Sequence, residues 1–280
     1  MNEKTVFETL ISCLKKDVRT VAENMNLESS AVVVNQCDKD DYTEYLHKEG
    51  VIRCYSNRER GVGLSRNLAM DKADSEIILF SDDDIVYNTG YSKKITTCFK
   101  KNKKADLILF NVRQSEGRKT YHIEKYGRVW WHNYGRYPAY SIAARLDVLK
   151  KNNIRFSPLF GGGARYSNGE DSLFLHDCLK KNLKIYCTPI EIGIEKEGDS
   201  TWFKGYTDKF FFDRGVLYLY LYGRLATIFA FRFLYKNKRE FCAEKKFGYC
   251  FELLKKGIRY AAVPGSDYPY ANVGAADKTE

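Results

Sequence analysis

Five apolar, β-branched runs of strand length, at residues 6–11, 31–34, 51–55, 76–80 and 106–112, are separated for the most part by segments of helical length at 15–25, 65–73 and 93–100. No other feature of the chain constrains its fold so strongly. Strands joined by helical crossovers pair in parallel, and a parallel sheet needs both faces covered. Two further strand-like runs, around 141–144 and 184–187, extend the same sheet. At 280 residues the chain can bury a large core, and 44% apolar with 15% aromatic residues excludes a disordered polypeptide and leaves Tyr and Phe to line a cleft. The expected class is α/β, a mostly parallel, Rossmann-like sheet with flanking helices. No internal repeat is present.

The run at 76–80 leads directly into Asp82, Asp83 and Asp84. Aspartates are common in turns, but these end a buried parallel strand, where open sheets bind ligands. Side chains alternate along an extended chain, so Asp82 and Asp84 converge while Asp83 points away. Two convergent carboxylates suit Mg²⁺ or Mn²⁺, whose remaining positions are filled by water and substrate phosphates. Upstream, in GVGLSRN at 61–67, Gly61 and Gly63 permit close backbone approach and Ser65 caps a helix carrying Arg66 and Asn67. A guanidinium at such a helix start suits a diphosphate. Downstream, three glycines at 161–163 precede NGEDSLFLHDCLKK at 168–181. Leu173, Phe174 and Leu179 give this segment a helical pattern that places Glu170 and Asp171 in the first turn, where the macrodipole favours carboxylates. An ionised carboxylate beside a pliable loop is placed to deprotonate a bound hydroxyl.

The eight cysteines form no CxxC pair, and no charged-then-apolar leader precedes them, so they read as reduced thiols in a cytoplasmic protein. The four histidines make no zinc pattern. Any metal should be a hard, oxygen-bound one.

The stretch GLSRNLAMDKADSEIILFSDDD, with GED opening a later helix, resembles an inverting family 2 glycosyltransferase with the GT-A fold, of the bacterial surface-polysaccharide type. The resemblance covers roughly residues 5–200. It implies a metal-dependent transfer from a nucleotide-sugar donor to a saccharide or lipid-linked saccharide acceptor. Asp82 and Asp84 would be the DxD pair holding Mg²⁺ or Mn²⁺ and the donor diphosphate, and Arg66 would help hold the nucleotide. Asp171 would be the catalytic base and Glu170 an acceptor contact. The family's Pro-x-Tyr-Asn after the first strand is replaced by Ser12, Cys13, Leu14 and Lys15, and its acidic pair closing the second strand reads Asn35, Gln36, Cys37 and Asp38. Asn35 or Asp38 is therefore expected near the uracil of a UDP-sugar. No histidine follows His176, so Glu195, Glu197 or water completes the metal shell. The Gln-x-x-Arg-Trp motif of processive synthases is missing, which favours single addition. Trp202, in the polar loop EGDSTW, is the aromatic expected against the acceptor.

The expected organisation is a catalytic domain at 1–205, a basic helical extension at 206–262 and a loose tail at 263–280. Net charge is +10, and between Arg224 and Arg259 ten Lys or Arg stand against Glu240, Glu244 and Glu252. Such asymmetry fits an anionic surface. Arg224 and Arg232 interrupt the apolar run at 215–240 and fall on one helical side, with Leu225, Ile228, Phe229 and Phe233 largely elsewhere. This predicts a helix that does not span a membrane but either lies on its surface, at the cytoplasmic face, or packs in the core. A nucleic-acid binding module is the competing class, but the basic cluster lies apart from the glycine and aspartate motifs, so no nucleic-acid partner is expected. A sugar nucleotidyltransferase would carry a glycine-rich, lysine-bearing loop near its N-terminus, and none is present.

Overall fold

The computed structural model describes residues 5–114, 121–196, 205–241 and 245–263. Its strands are β1 (Phe7–Leu14), β2 (Ser30–Gln36), β3 (Asp41–His47), β4 (Gly50–Asn57), β5 (Ile77–Asp82), β6 (Ile85–Tyr87), β7 (Leu107–Arg113), β8 (Gly127–Arg128), β9 (Ile142–Arg145) and β10 (Ile185–Glu195). The helices are α1 (Val18–Asn24), α2 (Val62–Lys72), α3 (Tyr91–Lys101), α4 (Leu146–Lys151), α5 (Glu170–Lys180), α6 (Asp208–Tyr222), α7 (Ala226–Phe241) and α8 (Phe247–Ala261).

The strands form one sheet in the order β3-β4-β2-β1-β5-β9-β7-β10-β6, with β8 beside β10. Its first half is the expected parallel unit: β4, β2, β1 and β5 run side by side in the same direction. Leu10, Ile11, Val32, Val33, Ile52 and Leu79 are fully buried there, as strands covered on both faces require. The other half is mixed, because β9 enters antiparallel between β5 and β7. Each of the seven strands predicted from sequence is present. The additional strands β3, β6 and β8 lie at sheet margins; β3 alternates exposed and half-buried residues, and the other two are three and two residues long. Such pieces carry too little hydrophobic pattern to be read from sequence.

The chain divides into two compact units. One comprises the sheet and its helices as far as Ala164 and again from Glu170 through β10; the other comprises Arg165–Gly169 and the three C-terminal helices. In the second unit α6 and α8 cross at two glycines. A Cβ on Gly215 would lie 2.1 Å from the Leu254 carbonyl oxygen, and one on Gly257 2.1 Å from that of Phe212. The helices meet backbone to backbone. Gly215→Ala and Gly257→Ala should each lower stability by about 1–3 kcal/mol through forced separation of the pair. Urea unfolding monitored by circular dichroism checks this, and parent-like midpoints for both would contradict the close crossing.

Candidate active site

The carboxyl edge of the parallel unit carries the acidic cluster. Asp82 ends β5 opposite Ser12 at the end of β1. The three consecutive aspartates then separate. Asp82 Oδ1 accepts from Arg66 at 2.8 Å, Asp83 pairs with Lys16 at 3.0 Å, and Asp84 has no ion pair among the described residues. Asp83 and Asp84 lie in the turn between β5 and β6, so strand alternation does not set their directions; their different ion pairing does the separating. Asp84 is surface-exposed, yet it stands in a recess shared with other acids. Partial desolvation, with Asp82, Glu195 and Asp83 around it, raises its carboxyl to about 7. Glu195 reaches this place because β10 pairs antiparallel with β6, which sets Glu195 opposite Ile85.

Arg66 is the centre of the site. It is 4% exposed, donates to Asp82 and, at 3.2 Å, to Glu170 Oε1, and its guanidinium lies 5.2 Å over the Phe156 ring. Burial opposes its charge, but Asp82, Glu170 and Asp171 outweigh burial and keep it protonated. The ring of Phe156 stacks on that of Phe174 at 4.2 Å, giving the guanidinium an apolar floor. The neighbours of Arg66 hold α2 in place. Asn67 exchanges two hydrogen bonds of 2.9 Å with the Phe156 backbone, and Ser65 donates to Ser12 Oγ at 2.9 Å. Ser65 therefore does not cap the helix: α2 begins earlier, at Val62, with Gly61 N–H donating to Gln36 Oε1 at 2.7 Å. The close approach permitted by Gly63 is made by the chain itself, since a Cβ there would lie 2.3 Å from the Ser157 carbonyl oxygen.

Glu170 and Asp171 open α5 as expected. Burial, followed by the adjacent Asp171, raises the Glu170 carboxyl to about 8 against the pull of Arg66. Glu170 is hydrogen-bonded to Asp171, whose Oδ2 accepts from Ala139 N–H at 3.2 Å. Asn35 is buried, and its amide clamps the Lys16 backbone with bonds of 3.1 and 3.0 Å. Asp38 is exposed and paired with Lys15 at 3.1 Å and Arg60 at 2.7 Å. Trp202 and Glu197 lie outside the described residues.

Gln114 and Tyr140 also belong to the site, although no motif marks them. Gln114, just beyond β7, donates to Tyr140 Oη at 2.6 Å and to Glu195 at 2.8 Å. Burial, with Glu195, Asp82 and Asp171 nearby, pushes the Tyr140 phenol far above its ordinary range. The signal available was position alone: Gln114 follows a parallel strand at the same edge as Asp82. A cavity of about 200 Å³ opens beside them, lined among others by Asn111, Arg113, Tyr121, Tyr137 and Pro138. Among the described residues no group of three or more His, Cys, Asp or Glu forms a ready-made metal cage. Asp82 and Asp84 nonetheless suit a hard cation that takes one or two carboxylates and completes its shell with phosphate oxygens.

A mixed sheet with flanking helices, its parallel unit ending on the aspartates of β5 beside the acidic start of α5, has the α/β architecture of the GT-A fold. Residues 2–156 match the family model described as glycosyl transferase family 2, just over half of the chain, and the protein belongs to that family. No curated protein matches the chain. Among solved structures it is similar to S. aureus TarS 1–349 in complex with UDP-GlcNAc, with a TM-score of 0.62 and 16% identity over 91% of this chain and 81% of that one. The same fragment with UDP gives a TM-score of 0.55 at 16% identity, over 85% and 73%. For the S. aureus TarS structure without that truncation the TM-score is 0.59 at 17% identity; 97% of this chain is covered and it spans 53% of the longer one. At these identities the likeness establishes the fold.

Two predictions follow from the buried arginine and its partners. Arg66→Met leaves Asp82 without its buried counter-charge and Glu170 Oε1 without its guanidinium donor and should cost about 3–5 kcal/mol, measured by urea denaturation; a loss under about 1 kcal/mol would remove Arg66 from its central place. The second concerns pH. Because the folded Glu170 carboxyl is raised from 4.5 to about 8, the native state binds more protons than the unfolded chain between those values, so this group makes stability fall as pH rises through that window. Glu170→Gln should match the parent near pH 5 and exceed its Tm by several degrees near pH 8.5 in EDTA. Parallel Tm profiles for the two proteins would show that Glu170 ionises normally.

Proposed function

We propose that this family 2 glycosyltransferase moves a sugar from a UDP-sugar to a hydroxyl of a saccharide or lipid-linked saccharide acceptor, with inversion, in the synthesis of a surface polysaccharide. The observation that carries the reading is the Arg66 bridge from Asp82 to Glu170, which joins the donor-binding strand end to the helix bearing the candidate base. The S. aureus TarS complexes with UDP-GlcNAc and UDP support a uridine donor. Asp82, with Oδ2 left free of Arg66, and Asp84 would hold Mg²⁺ or Mn²⁺. When bound, that cation neutralises charge on the diphosphate leaving group.

The chain's own residues supply the rest. Arg66 fixes the Asp82 carboxylate and is a positioning residue rather than a free diphosphate clamp. Asp171, held by Ala139 N–H and by the protonated Glu170, takes the acceptor proton as its oxygen attacks the anomeric carbon from the face opposite the diphosphate. The bond from that carbon to the diphosphate oxygen breaks, and the configuration inverts. Tyr140 and Gln114, beside the cavity, provide neutral hydrogen-bonding groups for sugar hydroxyls next to Glu195. Asp38 and Asn35 lie at the end of β2 and its following turn, where the uracil is proposed to sit.

Thermal shifts against a panel of nucleoside diphosphates with and without Mn²⁺ test the donor assignment, since a ligand at a hundred times its Kd stabilises by about 2.7 kcal/mol. UDP with Mn²⁺ should give the largest shift, and a response independent of the base would contradict a uridine donor. Asp84→Asn should abolish the Mn²⁺-dependent part of UDP binding in calorimetric titration, whereas unchanged affinity removes Asp84 from the metal. Asp171→Asn should retain UDP binding and lose kcat by roughly two to four orders of magnitude; near-normal turnover would transfer the role of base elsewhere.

A further inference from the structure

The C-terminal unit carries an outward face that the transfer reaction does not use. Helix α7 packs through Ala226, Ala230, Leu234 and Phe241, all buried and spaced to fall on one side. Its opposite side is apolar as well. Leu225, just before the helix, is 54% exposed, followed at helical spacing by Ile228 at 64%, Phe231 at 49% and Tyr235 at 61%. Arg224, Arg232, Lys236 and Arg239 are exposed on this same side. The sequence expectation set the arginines apart from the apolar residues; in the folded unit Leu225 and Ile228 share the outward face with them, while Phe229 and Phe233 are half-buried.

The run Asp208–Phe241 is long and apolar enough to cross a membrane by length and composition. Its internal structure argues for a different use. Gly223, at φ 51°, ends α6, so the run is two helices. Helix α6 buries Phe211, Val216 and Leu217 and holds the buried Asp213, which accepts from Lys209 at 2.6 Å and from Ser167 N–H and Oγ at 3.0 Å. A lipid-facing α6 would leave that carboxylate in hydrocarbon. Of these two helices only α7, among the described residues, turns large apolar side chains outward, and it mixes them with cations. Lys238 Nζ lies 4.8 Å over the Tyr235 ring, an aromatic–cation pair of the kind that sits at headgroup depth.

We propose that the outer face of α7 docks on an anionic phospholipid surface, with Ile228, Phe231 and Tyr235 entering the headgroup boundary and Arg232, Lys236 and Arg239 meeting lipid phosphates. Charge complementarity selects this occupant. The segment from Arg224 to Arg259 carries ten cations against three acids, and each cation near an anionic leaflet contributes about a threefold to tenfold gain in partition. Neither the donor nor the acceptor enters the argument, so it stands apart from the proposed transfer.

Co-sedimentation of the full chain with equimolar phosphatidylglycerol–phosphatidylcholine vesicles and with pure phosphatidylcholine vesicles tests it. The expected result is binding to the anionic vesicles that is at least about tenfold stronger and weakens as salt rises. Ile228→Ser with Phe231→Ser and Tyr235→Ser should reduce that binding by about tenfold or more, and Arg232→Glu with Lys236→Glu and Arg239→Glu by about a hundredfold. Circular dichroism and UDP binding should be unchanged in both variants. Absence of vesicle binding, equal binding to both vesicle types, or parent-like binding by both variants would overturn the proposal. Self-association of the parent in sedimentation velocity, lost in the serine variant, would assign the face to a second copy instead.

Discussion

A guanidinium withdrawn from water holds the catalytic half of the molecule together. Burying Arg66 costs several kcal/mol in desolvation, offset only by closely placed acceptors; the Asp82 carboxylate and Glu170 Oε1, 88 residues apart along the chain, supply them. The dependence runs both ways. Without Arg66 the end of β5 and the start of α5 would bring carboxylates together in a recess with Asp84, Asp171 and Glu195 and no buried cation between them. The stacked rings of Phe156 and Phe174, with Phe80 edge-on to both, exclude water from beneath the guanidinium. Its interactions are stronger there than at the surface. One residue thus fixes both the geometry and the charge balance of the site.

That balance separates two adjacent acids of similar chemistry. Burial and the adjacent Asp171 push Glu170 toward the neutral form, whereas Asp171 accepts a backbone N–H. Asp82, Asp83 and Asp84 follow similar logic through different partners. Arg66 takes the first and Lys16 the second, which leaves Asp84 facing Glu195 across the β6–β10 ladder.

The parallel half of the sheet was legible because it is buried on both faces, and burial writes continuous apolar runs. The DDD and GED motifs were legible because each sits where a strand ends or a helix begins. What was hidden depended on partners distant in sequence. Nothing local in Asn35 shows that its amide would bind the Lys16 backbone, nor in Ser65 that its hydroxyl would meet Ser12. The last strand illustrates the same limit. Sequence pattern ended it at 187, before Pro189 interrupts the alternation, yet β10 continues through register shifts between Cys187 and Gly193 as far as Glu195. The continuation is stabilised by β6, a three-residue strand with almost no signal of its own. Glu195 was visible as a candidate, but the pairing that brings it to Asp84 was not.

The same distinction governs α7. Helical periodicity groups residues by angle, but it cannot say which angle is inward, because that is decided by the partner surface. Here α7 buries Ala226, Ala230, Leu234 and Phe241, and Phe231, though half exposed, meets the rings of Phe247 and Phe251 edge-on. The bulky residues Ile228, Phe231 and Tyr235 are exposed together with Arg232 between them. In bulk water such a face leaves apolar area unburied, at roughly 25 cal/mol per Å². At a bilayer boundary the same alternation is matched, with apolar side chains entering below the phosphates and guanidinium groups staying level with them. An outward side that combines both kinds of residue is adapted to a boundary between two solvents, and neither the apolar residues nor the cations alone would distinguish it from a core helix or an ordinary solvated one.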